Sequence, residues 1–244
     1  MVEFDLPAIS KTRKYIASVS WGKDSLCMLL LLIEKNYPLE EVVFFDTGME
    51  FQGVYDTRDR VLPLLKKHDI TYTELYPKDQ FLWNMLDRPV TEKNGNVHKG
   101  YSWCGGPCRW GTTEKLRVLD AYCKDSLVYV GLAHDERERL RKNRAYNKVF
   151  PLAEWKIPEG QALIHCYQHG YWWEENGVYL YSLLDRVSCW CCSNKNLKEL
   201  RNYYNYLPYY WEKLKRLQLK THRPFKRGLT IFEIENRFRQ EASA

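Results

Sequence analysis

What the chain lacks narrows the possibilities first. Its longest unbroken apolar run, residues 26–33, falls far short of the roughly 18–20 residues that a membrane-spanning helix needs. No motif recurs at a fixed period and no Ser/Gly/Pro-rich linker divides the chain, which removes solenoids and linker-joined arrays. Neither GxGxxG nor GxxxxGK(S/T) occurs, so the dinucleotide fingerprint and the Walker loop are excluded. The opening stretch MVEFDLPAISKTRK lacks the cationic-then-apolar order of a secretory signal, and the expectation is a cytoplasmic, water-soluble protein that does not engage a membrane. In a reducing compartment its eight cysteines are not expected to form structural disulfides, and 244 residues suffice to bury a core without them. The cysteines therefore need another use. They are also missing after Cys192. The net charge of +6 favours polyanions only mildly and is no nucleic-acid signature by itself.

What is present reads as α/β. Residues 15–19 (YIASV) form a buried strand, 25–34 an apolar-faced helix, 41–45 (EVVFF) a second strand and 54–68 a helix. Residues 70–75 (ITYTEL) alternate as a third strand, 112–122 are helical and 127–132 (LVYVGL) make another strand. Strands alternating with helices predict a Rossmann-like parallel sheet flanked by helices with right-handed crossovers. The loops after Val19, Phe45 and Leu132 are expected at the ligand-binding ends of the strands. From about residue 154 the chain turns to helices rich in Trp and Tyr: 158–169, 194–206, 209–217 and a last one opened by a Thr230/Glu233 capping box. The division expected is an α/β nucleotide-binding domain over 1–153 and a helical, Cys-containing C-terminal region over 154–244.

The strongest local signal is IASVSWGKDSLCMLL, a strand, a polar turn and a helix in direct succession. Amides at a helix N-terminus form an anion nest, which the hydroxyls of Ser18, Ser20 and Ser25 supplement. Gly22 lets backbone approach phosphate, Lys23 supplies charge, and Asp24 completes the turn. This segment resembles the SGGxDS loop of the PP-loop ATP pyrophosphatases, with Trp21 in place of the first glycine. FFDTGMEF (44–51), VGLAHDERERL (130–140) and DRVSCWCC (185–192) with the preceding PLAEW narrow the resemblance to the phosphoadenosine phosphosulfate (PAPS) reductase family. That resemblance implies an adenine nucleotide alpha-hydrolase-like fold that binds ATP with Mg²⁺. It implies that Asp46 contacts adenosine, that Glu50 lies beside the site mouth and that Gly131 lets the nucleotide approach the fourth strand. Asp135, Glu136 and Arg139 match the family's acidic-acidic-arginine stretch, where acids could hold magnesium and arginine could meet phosphate. Ala133 stands where sulfonucleotide reductases carry an arginine. The RWGTTEK stretch resembles the family's RWCTxxxK with Gly111 for its cysteine, and Arg109 and Lys115 there could steady an anion. For Asp46, Lys115 and the outer members of RERLRKNR, a turn cap or a solvated surface is the competing reading.

Two cysteine pairs stand out, Cys104 with Cys108 and Cys189 with Cys192. Four thiolates are the count for tetrahedral zinc or a 4Fe-4S iron–sulfur cluster, and the resemblance to sulfur chemistry inclines the reading to iron. Gly105-Gly106-Pro107 provides the turn that lets the first pair face one centre, and neighbouring Trp residues would shield it. Cys191 competes with Cys192, while redox-active thiols remain open. Cys27, Cys123 and Cys166 read as core. His165 and His169, four apart on a helix, could share a metal, but with no intervening Glu and no third ligand placed, HExxH chemistry is excluded and a surface pair is the simpler reading.

Two reactions fit. ATP cleavage at the α-phosphate could adenylylate an acceptor for sulfur transfer, with tRNA or DNA as the acceptor and a sulfur donor or redox protein as partner. A sulfonucleotide reductase would instead need a mobile nucleophilic cysteine, which the family carries near the C-terminus; residues 193–244 have none. Lys23 also suits a triphosphate better. The expectation is therefore an adenylyl and sulfur transferase, with the reductase as alternative. A catalytically silent nucleotide- or nucleic-acid-binding module, supported by the aromatic and basic stretch 203–232, is a second alternative. A homodimer is also open.

Overall fold

The computed structural model of the protein describes residues 13–104, 106, 108–142 and 145–242. The side chains of Arg109 and Trp110 lie outside that description, as do Gly105 and Pro107 of the expected turn.

Five parallel strands form the central sheet in the order β3-β2-β1-β4-β5, with β1 (Tyr15–Val19), β2 (Glu41–Phe45), β3 (Thr71–Leu75), β4 (Leu127–Val130) and β5 (Lys148–Val149). β1 pairs with β2 on one side and β4 on the other, Ser18 standing opposite both Val43 and Val130. That branching of the chain to opposite sides of β1 is the switch point where such sheets open a crevice. β2 is buried at every position. Its first residue, Glu41, is tied down by Lys14 (2.6 Å), by the Tyr122 hydroxyl (2.8 Å) and by the Thr73 hydroxyl. Burial opposes ionisation there, yet these hydrogen bonds hold the carboxyl below its ordinary range.

Helix α1 (Lys23–Glu34) leaves β1 through the polar turn, and its residues from Leu26 to Leu32 are buried. Each such aliphatic side chain contributes roughly 1.5–3 kcal/mol relative to exposure. The same helix packs against α4 (Glu159–Gln168). The other principal helices are α2 (Gln52–Lys67), α3 (Glu114–Tyr122), α5 (Leu197–Tyr206), α6 (Pro208–Lys220) and α7 (Ile231–Ala242). The Thr230/Glu233 capping box is formed, with Thr230 N donating to Glu233 (2.7 Å) and Glu233 N to Thr230 Oγ1 (3.2 Å). Among the described residues no helix is long and apolar enough to cross a membrane.

Two compact units interleave along the chain. One comprises residues 1–44, 61–73 and 120–169, the other 45–60, 74–119 and 170–244. The boundary expected at residue 153 falls inside the first unit, because α4 belongs with α1. In the second unit half of the aromatic stretch builds core: Tyr203, Tyr210, Trp211 and Phe225 are buried, Tyr204 and Phe232 are half-buried, and Tyr206 and Tyr209 are exposed.

Candidate functional site: a phosphate loop and a cysteine centre

The phosphate loop lies wholly in the first unit. Ser20 N donates to Ser25 Oγ (3.1 Å), the two hydroxyls are 3.2 Å apart, and Ser25 Oγ donates to the Gly22 carbonyl (3.0 Å). Gly22 caps α1 in extended conformation with no side-chain cap, and helix N-termini of this kind favour anions. Gly131, at the end of β4, is where this turn meets the sheet: a Cβ there would stand 2.6 Å from Ser25 Cα. The close approach it permits is to protein backbone. Trp21 occupies left-handed backbone (φ 58°), a conformation that glycine adopts freely and a bulky residue does not. Its ring is fully buried, edge-on to Phe44 (6.3 Å) and Tyr72 (5.7 Å). The strain, about 1–2 kcal/mol, is smaller than the roughly 4–6 kcal/mol that burying 150–250 Å² of ring supplies. Trp21 thus keeps the glycine-like bend and fills the core beneath it.

Charge surrounds this loop. Lys23, almost buried, pairs with Asp24 (2.7 Å) and with Glu159 (2.6 Å), the first residue of α4. Burial pushes the Asp24 carboxyl up to about 6, with Lys23 opposing the shift. Asp135 is exposed and accepts the Glu159 amide (3.1 Å). Glu136 accepts the Ala133 amide (3.2 Å) and pairs with Arg139. Ser18 lies half-buried in β1 and makes the sheet register already described. Glu159 is a member of this group that sequence reasoning missed; its only local signal is an acid just after Pro158, 136 residues from Lys23.

The cysteine centre lies wholly in the second unit. Cys108 opens a π-helical turn, Arg109–Thr113, its carbonyl accepting from Thr112 and Thr113 (both 2.9 Å). Such turns are frequent at functional sites. Gly111 N donates to Cys108 Sγ (3.3 Å), and a Cβ on Gly111 would stand 3.1 Å from that sulfur. Glycine here therefore leaves the Cys108 thiol room. Cys189 and Cys192 are joined by a tight turn, Cys192 N donating to the Cys189 carbonyl (3.0 Å). The two cysteine loops are stitched together: Ser193 Oγ donates to the Cys104 carbonyl (2.5 Å), Asn194 Nδ2 to the Gly106 carbonyl (2.9 Å), and Gly106 N to Asn194 Oδ1 (3.2 Å).

The loop after β2 holds the second pair. Thr47 Oγ1 lies 3.8 Å and Glu50 Oε1 3.9 Å from Cys189 Sγ, and Trp190 N donates to the Met49 carbonyl (2.9 Å). Burial pushes the Glu50 carboxyl up against the pull of Lys115. Asp46 Oδ1 accepts from Gly48 N and from the Tyr55 hydroxyl (both 2.7 Å), the hydrogen bonding of a turn cap. The Cys108 thiol is pushed up by its hydrogen bond with Cys104 and by burial, and the Cys189 thiol by burial and then by Glu50 and Cys192. Protonated thiols are poor nucleophiles, and a metal would have to displace their protons. Cys191 is buried and its thiol rises with burial. Lys195, buried over Phe51 and Tyr203, is another residue the sequence did not flag; burial lowers its ammonium and neighbouring Glu199, Cys192 and Cys189 oppose this. Cys27, Cys123 and Cys166 are core, as expected.

Residues 14–168 match the phosphoadenosine phosphosulfate reductase domain family, and the chain belongs to that family. It is similar to the uncharacterised protein MJ0973 of Methanocaldococcus jannaschii, 28% identical over 202 residues, 75% of this chain and 42% of the relative. It is also similar to the uncharacterised protein MJ0066 of the same organism, 25% identical over 210 residues, 81% of this chain and 40% of the relative. The chain thus spans about two fifths of the length of these relatives. Among solved structures it is similar to the U34-tRNA thiolase NcsA from Methanococcus maripaludis with its 4Fe-4S cluster, at TM-score 0.48 and 15% identity over 96% of this chain and 74% of that one.

Proposed function

We propose that the protein binds ATP at the loop before α1, cleaves it between the α- and β-phosphates, and adenylylates an acceptor oxygen for replacement by sulfur. The observation that carries this reading is the uncapped α1 N-terminus, with its Ser20–Ser25 hydroxyl pair and Lys23, in a chain of the PAPS reductase domain family. An acceptor oxygen attacks the α-phosphorus, the bond to the α–β bridging oxygen breaks, and pyrophosphate leaves with that electron pair. A sulfide-level sulfur donor then attacks the carbon bearing the adenylated oxygen and AMP departs. Lys23 and the first-turn amides stabilise the charge on pyrophosphate. Lys23 must first be released from Glu159, so nucleotide binding competes with that pair. Mg²⁺ carried by the nucleotide would meet Asp135, exposed beside Glu159.

Cys104, Cys108, Cys189 and Cys192 are the residues that would hold an iron–sulfur cluster. Two loops stitched through Ser193 and Asn194, with Gly111 clearing Cys108, suit that group. Tetrahedral zinc would need sulfurs only about 3.8 Å apart; among the described residues no three cysteine sulfurs lie within 4.8 Å of one another. A bound cluster would supply inorganic sulfide and one-electron chemistry. The acceptor proposed is a nucleic acid, in keeping with the net positive charge.

The test is incubation of the anaerobically purified protein with ATP, Mg²⁺, a sulfide source and tRNA or DNA, followed by mass spectrometry of the nucleosides and assay of pyrophosphate. Sulfur-containing nucleoside with stoichiometric pyrophosphate is expected, lost in Lys23→Ala. Sulfite release from PAPS with thioredoxin, and no pyrophosphate from ATP, would replace this reading by the reductase.

A further inference from the structure

Glu34, His165 and His169 play no part in either centre, yet the first unit brings them together. Glu34 ends α1, His165 lies in the last turn of α4 and His169 is that helix's C-cap. Donor atoms from the three residues lie within 4.8 Å of one another, the one such trio of His, Cys, Asp or Glu among the described residues. The sequence offered the histidine pair without a third ligand; the fold supplies it from 131 positions upstream.

The hydrogen bonding calls for a cation. His169 Nδ1 lies 2.8 Å from the His165 carbonyl, which can only accept, so Nδ1 carries the proton. His169 Nε2 lies 2.6 Å from Glu34 Oε1, so a proton or a metal ion lies between them. Two acceptors at that distance are held only by a shared cation. His165 Nε2 lies 3.6 Å from the same oxygen and is buried without a hydrogen bond among the described residues.

We propose that Glu34, His165 and His169 bind one divalent transition-metal ion, zinc by ligand chemistry, which clamps the C-terminal ends of α1 and α4. Two imidazoles and a carboxylate are a zinc donor set, and bonds of 2.0–2.2 Å put tetrahedral donors about 3.3–3.6 Å apart. The 3.6 Å contact already stands near that spacing, and the 2.6 Å contact opens by about 0.7–1 Å when the ion enters. The backbone carbonyl on His169 Nδ1 is the outer partner that orients a ligating imidazole. Both helices end here, and their C-terminal partial charge favours a cation. The ion lies one helix length, about 18 Å for the 12 residues of α1, from the phosphate loop, so its role is to fix the helices whose first turns carry Lys23 and Glu159.

The test is titration of the chelator-treated full chain with Co²⁺, followed by Zn²⁺ competition and thermal melting. The expected result is one equivalent of cobalt with visible d–d bands but no intense near-ultraviolet sulfur-to-cobalt charge transfer, and a higher melting temperature with Zn²⁺. Glu34→Gln and His169→Asn, both at exposed positions on different elements, are expected to weaken binding at least about tenfold and to cancel the thermal gain. Cobalt that binds only with thiolate charge transfer, or folded variants that keep wild-type affinity, would overturn the proposal.

Discussion

The phosphate loop and the cysteine centre are held together in opposite ways. Around Lys23 the partners are charges, two carboxylates within 3 Å of one nearly buried ammonium. The hydrogen bonds that join the 104–108 and 189–194 loops are neutral, from a serine, an asparagine and backbone groups, although Glu50 and Lys195 stand beside the cysteines. A charged latch can exchange one anion for another, which suits a site that must admit a polyphosphate. Neutral hydrogen bonds between the two cysteine loops are not exchanged for an incoming anion, which suits the proposed cluster site.

The largest effects should separate the two regions cleanly. Lys23→Ala is expected to lower pyrophosphate release by about 10²–10³-fold while iron content stays at the wild-type level; Cys189→Ser is expected to lose the iron and keep ATP binding. Parallel loss of both properties in either variant would break the comparison. Trp21→Ala should lower stability by about 3–5 kcal/mol in urea unfolding, because the buried ring outweighs the relaxed backbone.

The Asp24 carboxyl, raised from 3.8 to about 6 by burial, gives a pH test. Its folded value lies above its unfolded one, so its favourable contribution is complete below pH 3.8 and is lost as pH rises through 6. Asp24→Asn should therefore gain stability relative to wild type between pH 4 and pH 7, by at most about 3 kcal/mol. A pH-independent difference would show that the carboxyl ionises in its ordinary range. Removing the latch charge with Glu159→Gln should tighten ATP binding about tenfold by titration calorimetry, the worth of one charged hydrogen bond. The smallest effect is Asn194→Ala, about 1 kcal/mol on stability without change in nucleotide affinity.

Much of the sheet and of the loop could be read locally. YIASV, EVVFF and LVYV carry their burial in consecutive apolar residues, and the polar turn after Val19 leads into α1 within a few positions. The Thr230/Glu233 cap was legible for the same reason. What the sequence hid was separated along it: Glu159 against Lys23, Asn194 against Gly106, Glu34 against His165. Trp21 was unreadable differently, since residue type alone does not reveal that a bulky ring adopts glycine's backbone when the core beneath can take it. Residues 203–232 place aromatics at helical spacing, the pattern of a core, and half of those rings are buried. For Arg109 the expectation rests on a side chain outside the described residues.

The proposed reaction breaks ATP between its α- and β-phosphates. Phosphorus-31 NMR of the protein with ATP, Mg²⁺ and the nucleic-acid acceptor reads it directly. AMP and pyrophosphate in equal amounts, absent with Lys23→Ala, are the predicted products; ADP and orthophosphate, or ATP left intact while PAPS yields sulfite, would contradict the account.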